Sequence, residues 1–302
     1  MSPPLPRVPI STNARFSFPA LARSRLFDSA VIGSSSSRLL EPRLLDPGFG
    51  AHFVNLSMNA ATANEQVQIL DVFLHAHPRP RVIMLGLDVS WCTPQPRPYT
   101  ERPFPAWMYA GSPWAGYLHM LTPYAVQEAA NQFAVMTHLR RRRYGLDGYT
   151  RFVPPDSDYD RVRRDAAFLR WPPVDDSPAM PDAATIFPPL QLLRAALLAI
   201  PSGTRTILFF VPYYIERQGL PGGATRWGWD QCKRQVAAIA TQAGAELIDF
   251  MIPSSITQDK DNYWDPIHYR VAIATRIAEG LIAGSSPDAA VLMPPPAPRE
   301  AD

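Results

Sequence analysis

Ser29-Ala30-Val31-Ile32-Gly33-Ser34-Ser35-Ser36-Ser37 is a short apolar run that stops at a glycine and a line of serines. A buried strand that runs straight into a tight turn produces this pattern. Working outward, residues 53–58 (Phe-Val-Asn-Leu-Ser-Met) predict a second strand, and a helix follows through His75. In that helix Val67, Leu70, Phe73 and Leu74 recur at helical spacing, and Glu65 lies in the first turn, where the helix dipole favours an anion. Residues 81–87 (Arg-Val-Ile-Met-Leu-Gly-Leu) read as a buried strand. Later come a helix over 189–198, a strand over 204–211, a helix over 229–242, a strand over 246–250 and a last helix over 269–282. Strands that alternate with helices predict a parallel sheet covered on both faces, an α/β fold of three layers.

The expected organisation is an irregular N-terminal arm over residues 1–24, one α/β domain over 25–284 and a disordered tail over 285–302. The domain carries an insertion at about 92–185, where regular alternation stops and aromatics gather: Tyr99, Phe104, Trp107, Tyr109, Trp114, Tyr117 and Tyr124, with Trp91 just before it. Two readings stand for this region, a recognition lid beside a pocket or an excursion that packs its own small core. The chain holds 34 prolines, many of them clustered at the start, in the insertion and in the tail, which marks those stretches as loops.

Charged residues make up 19% of the chain and the net charge is +2, so no electrostatic argument favours a nucleic-acid partner. The basic run Arg140-Arg141-Arg142-Arg143 is expected to be a solvated helix end, with a polyanion or headgroup contact as its rival reading. Cys92 and Cys232 make no metal-ligand spacing and are expected to be buried free thiols, with a disulfide in an oxidising compartment as the alternative. No apolar run is long enough to span a bilayer, and the first thirty residues lack the pattern of a signal peptide, so a soluble chain is expected.

In a sheet of this kind ligands bind at the carboxyl ends of the strands. Ser35, Asn59 and Asp88 each follow such an end, and Asp265-Pro266-Ile267-His268 follows the last one. A serine hydroxyl becomes a nucleophile when a base removes its proton, and it must project from a tight turn such as Gly33 allows. An Asp three residues before a His folds back to accept the imidazole Nδ1–H, which leaves Nε2 free to act as that base. Acyl transfer also needs donors aimed at the developing oxyanion. The backbone N–H groups of Ser35 and Ala60, with the Asn59 side chain, are the candidates. Asp88, when ionised, cannot donate, and its expected role is to tie down the loop that carries Trp91.

The order of these motifs resembles the SGNH or GDSL-type esterases and acyltransferases. Gly33-Ser34-Ser35 matches their Gly-Asp-Ser block with Ser34 in place of Asp, and Asn55-Leu56-Ser57-Met58-Asn59-Ala60 matches their second block with Ala60 in place of the oxyanion glycine. Gly86-Leu87-Asp88 matches the third block without its asparagine, and Asp265 with His268 matches the last block intact. The likeness covers roughly residues 25–90 and 200–285 and is similar to a divergent branch of cell-envelope polysaccharide O-acyltransferases and esterases. It implies Ser35, His268 and Asp265 as a catalytic triad, no cofactor and no metal, and an acyl-ester small molecule or a carbohydrate as substrate. It also implies an extracytoplasmic place for a domain that follows an anchor, and a cytoplasmic one otherwise. The alternative function is a non-catalytic carbohydrate-binding or assembly protein on a degenerate scaffold of the same kind.

Overall fold

Every residue of β1 (Ser29–Ile32) and of β3 (Val82–Leu87) is buried, as strands covered on both faces must be. A computed structural model describes residues 13–100, 104–110, 116, 121–174, 177–178 and 185–294. Among them, β2 (Phe53–Asn55), β4 (Arg205–Phe210), β5 (Glu246–Asp249) and β8 (Ala290–Met293) complete a six-stranded sheet in the order β2-β1-β3-β4-β5-β8. The first five strands are parallel, with Ala30 beside both Val54 and Ile83, and Leu208 beside both Leu85 and Leu247. This is the flavodoxin-like winding, which reverses direction at β1.

Right-handed crossovers then dictate the layers. The chain leaves β1 towards one edge and later parallel strands add towards the other, so the helix after β1 lies on the opposite face from the helices that connect those later parallel strands. Accordingly α2 (Pro42–Phe49) packs against α9 (Val271–Ala283). On the other face α3 (Ala63–Ala76) packs against α1 (Ala14–Ala22) and α7 (Pro189–Ala199), and α7 against α8 (Ala224–Ala243). The fold is a three-layer α/β/α sandwich.

Two expectations at the ends are corrected. Residues 14–22, read as part of an irregular arm, form α1. Asn13 caps it, and Phe18, Leu21 and Ala22 are fully buried in the core. Pro19 within it hides the helix from a propensity reading, because proline removes an internal hydrogen bond. Tertiary burial overrides that local cost. Residues 290–293, read as part of a disordered tail, form β8, which pairs antiparallel with β5. Residues 1–12 and 295–302 lie outside the described residues.

The described parts of the insertion carry α4 (Ala106–Tyr109), α5 (Pro123–Met136) and α6 (Arg161–Phe168). Tyr99, Phe104 and Tyr109 stack in series at 4.9 and 4.5 Å, and the Tyr109 hydroxyl donates to the Arg15 carbonyl at 3.0 Å. These aromatics therefore pack against the body of the domain. Trp114 and Tyr117 lie outside the described residues. Around α6, Arg161 and Arg164 pair with Asp261, Lys260 with Asp165 at 3.0 Å, and Arg270 with Asp156 at 3.2 Å. The insertion thus grips the segment that flanks Asp265 and His268. The basic residues 140–143 lie beyond the end of α5 and are exposed.

The two cysteines, expected as free thiols, form a disulfide with a Cα–Cα distance of 5.6 Å. The bond ties the loop after β3 to α8. A sequence separation of 140 residues hides this neighbourhood from any local pattern. Among the described residues no helix is long and apolar enough to cross a membrane.

Candidate active site

The four serines after Gly33 look alike in sequence, and the fold gives each a different neighbour. Ser34 donates to Oδ2 of Asp88. Ser35 opens a single 3-10 turn, Ser35–Ser37, and its Oγ lies 2.8 Å from Nε2 of His268. Ser36 Oγ donates to the Ile267 carbonyl at 3.3 Å. The Ser37 side chain fits between Gly33 and Gly86, where a Cβ on either glycine would drive into its hydroxyl. Only Ser35 faces the histidine.

The turn is held from below by Asn55, the last residue of β2. Its side-chain amide donates to the carbonyls of Ser37 at 3.0 Å and Leu40 at 2.8 Å, and its oxygen accepts from the Ser57 N–H at 3.0 Å. This positioning residue was not singled out from sequence. The signal was present, since a buried amide in an apolar strand needs partners. From the other side, the Tyr269 hydroxyl donates to the Ser36 carbonyl.

Asp265 ends β6 (Tyr263–Asp265) and His268 starts β7 (His268–Tyr269), so the pair faces across a tight hairpin. Oδ1 of Asp265 accepts from the backbone N–H groups of Ile267 and His268, both at 3.0 Å, and Oδ2 lies 2.7 Å from His268 Nδ1. An acceptor-only carboxylate at Nδ1 places the proton there and leaves the Nε2 lone pair directed at Ser35. Phe152 of the insertion meets the imidazole edge to face, with ring centroids 5.3 Å apart.

The candidate oxyanion donors lie beside this serine. Past β2 the parallel pairing continues, with Leu56 N–H donating to Val31 O at 2.8 Å and Met58 N–H to Gly33 O at 3.0 Å. The chain from Met58 to Ala60 therefore runs next to the serine turn. Ala60 has a φ of 51°, in the left-handed region that favours glycine. Among the described residues, nothing accepts from the N–H groups of Ser35 and Ala60 or from the Asn59 side chain. The Asn59 carbonyl accepts from Arg15 at 3.0 Å, which fixes the course of this loop.

Asp88 is built in a different way. Its Oδ1 accepts from the Ser90 N–H at 2.8 Å and the Ser90 hydroxyl at 2.6 Å, while the Trp91 N–H donates to its carbonyl at 3.0 Å. It thus organises the loop that carries Trp91. Burial pushes its carboxyl up from the ordinary carboxylate range, against the hydrogen bonds from Ser34 and Ser90. A carboxyl raised in the folded state keeps its proton after the unfolded chain has lost it. Stability therefore falls as pH rises from the ordinary Asp value, about 3.9, towards the raised one. Asp88→Asn cannot ionise and is expected to flatten that slope in urea unfolding measured between about pH 4 and pH 7. An unchanged slope would assign the pH dependence elsewhere.

Among the described residues no group of three His, Cys, Asp or Glu side chains is arranged to hold a metal ion. What the site offers chemically is a hydroxyl, a base oriented by a carboxylate, and unengaged N–H donors on the adjoining loop. The sequence matches no known family model and no curated protein.

Proposed function

We propose that the protein is a serine esterase or O-acyltransferase that acts on ester-linked acyl groups, with a carbohydrate ester as one class of substrate. The observation that carries this reading is the unbroken hydrogen-bond relay from Ser35 through His268 to Asp265, at 2.8 and 2.7 Å. Ser35 Oγ attacks the acyl carbonyl carbon while His268 Nε2 takes its proton. The N–H groups of Ser35 and Ala60 stabilise the oxyanion of the tetrahedral intermediate. Collapse breaks the ester C–O bond, and His268 returns the proton to the departing alcohol. Water or a sugar hydroxyl then attacks the acyl-Ser35 ester, giving up its proton to His268. Transfer of that proton to Ser35 Oγ regenerates the free serine.

A fluorophosphonate probe and p-nitrophenyl acetate test this directly. The wild-type protein is expected to be labelled at Ser35 and to release nitrophenolate, and Ser35→Ala to do neither. Equal hydrolysis by both proteins would remove Ser35 from the chemistry. An unlabelled, inert wild type would leave the carbohydrate-binding alternative. Release of free acetate, against its transfer to an oligosaccharide, separates hydrolase from transferase.

A further inference from the structure

Helix α5 and the turn after β1 face each other across a cavity of 310 Å³, at the small end of the range of about 300–1,000 Å³ for ligand pockets. Three arginines from two parts of the chain line it: Arg38, directly after the Ser35–Ser37 turn, and Arg140 and Arg143 beyond α5. Arg38 is 3% exposed and its guanidinium lies 4.9 Å from the Phe152 ring and 5.5 Å from the Tyr144 ring. Cation–π contacts with two rings hold the guanidinium in place. Arg143 pairs with no carboxylate among the described residues, and Arg140 donates to the Asn131 amide oxygen. A further arginine, Arg15, is already neutralised by Glu65. Among the described residues Glu128 is the one acidic side chain on the wall, which leaves an excess of positive charge there.

The other polar lining suits hydroxyl groups. Asn59, Gln127 and Asn131 present amides, which donate and accept together. Two links join the cavity to the serine. Asn59 immediately precedes Ala60 on the loop beside Ser35, and Phe152 touches both the Arg38 guanidinium and the His268 imidazole. A ligand in this cavity therefore lies beside the turn that carries Ser35 and the loop that carries Ala60.

We propose that this cavity is a substrate subsite selective for an anionic saccharide, the acid group held by Arg140 and Arg143 and the sugar hydroxyls by the neighbouring amides. A guanidinium fork matches a carboxylate or a phosphate with paired, charge-assisted hydrogen bonds, and a neutral sugar lacks that charge. The inference rests on the esterase or acyltransferase reading, because it gives the substrate of that same site.

Calorimetric titration of the Ser35→Ala protein reads binding without turnover. The probes are trigalacturonate, a neutral galactose trisaccharide and galactose 1-phosphate. Trigalacturonate or the sugar phosphate is expected to bind at least about tenfold more tightly than the neutral trisaccharide, as loss of a charged hydrogen bond implies. Which of the two binds better identifies the acid group. Added salt is expected to weaken that binding. The exposed pair Arg140→Gln/Arg143→Gln, which disturbs no core residue, is expected to reduce it by a further factor of about ten. Equal binding of acidic and neutral sugars, no binding of any probe, or no effect of the arginine pair would overturn the proposal. Fluorophosphonate labelling of the wild type is read separately. Labelling without selective sugar binding sinks the subsite alone, and selective binding without labelling sinks the catalytic reading alone.

Discussion

His268→Ala is expected to lower ester hydrolysis by about four to six orders of magnitude while leaving the fold intact. The size of the effect follows from the relay. Without the imidazole Ser35 loses the base its Oγ faces, and a neutral hydroxyl is a weak nucleophile. The fold tolerates the change because Asp265 Oδ1 still accepts the backbone N–H groups of residues 267 and 268, which hold the hairpin. Groups that act as one unit also fail as one unit. The double variant Ser35→Ala/His268→Ala is therefore expected to be about as slow as either single variant. Steady-state rates on p-nitrophenyl acetate, with thermal unfolding as a control, check both statements. Hydrolysis within a factor of about ten of wild type in a folded His268→Ala protein would contradict the relay.

Arg15→Met is expected to cost about 3–5 kcal/mol of stability. Arg15 is 3% exposed and its partner Glu65 fully buried, and the two meet through paired hydrogen bonds at 2.8 and 3.2 Å. Glu65 also completes the capping box of α3 by accepting the Thr62 N–H at 3.1 Å, and it accepts from the Thr100 N–H at 3.3 Å. Removal of the guanidinium leaves a buried carboxylate without a counter-charge. Glu65→Gln in the same background removes that charge and keeps an acceptor for the cap, so it is expected to restore part of the loss. Urea unfolding of the two variants measures this. A loss below about 1 kcal/mol in Arg15→Met would place the pair among weak surface contacts.

The sheet was legible because strands buried on both faces need continuous apolar runs, and residues 82–87 and 207–210 are such runs. The Asp265–His268 pair was legible because its geometry is local, with both partners on one hairpin. Ser35 was legible by its position after β1. Its distinction from Ser34, Ser36 and Ser37 was not, because it depends on Asp88, Ile267 and Gly86, which lie far away in the chain. Helix α1 was hidden by Pro19 and by the dependence of its stability on α3 and the core. Strand β8 was hidden because four residues gain strand character only through a partner edge. The arginine-lined cavity combines segments near residues 13, 38, 59 and 124–144, and no spacing rule connects them.

The bond between Cys92 and Cys232 has a further consequence for how the chain matures. With two cysteines in the sequence, only one intramolecular pairing exists. Oxidation therefore cannot trap a shuffled isomer, and thiol exchange has nothing to sort within one molecule. The only wrong product is a covalent link between two chains, whose yield rises with protein concentration, whereas correct closure does not depend on it. Cys92 also leaves the ribosome well before Cys232, 140 residues later, and until Cys232 follows its thiol has no partner within its own molecule.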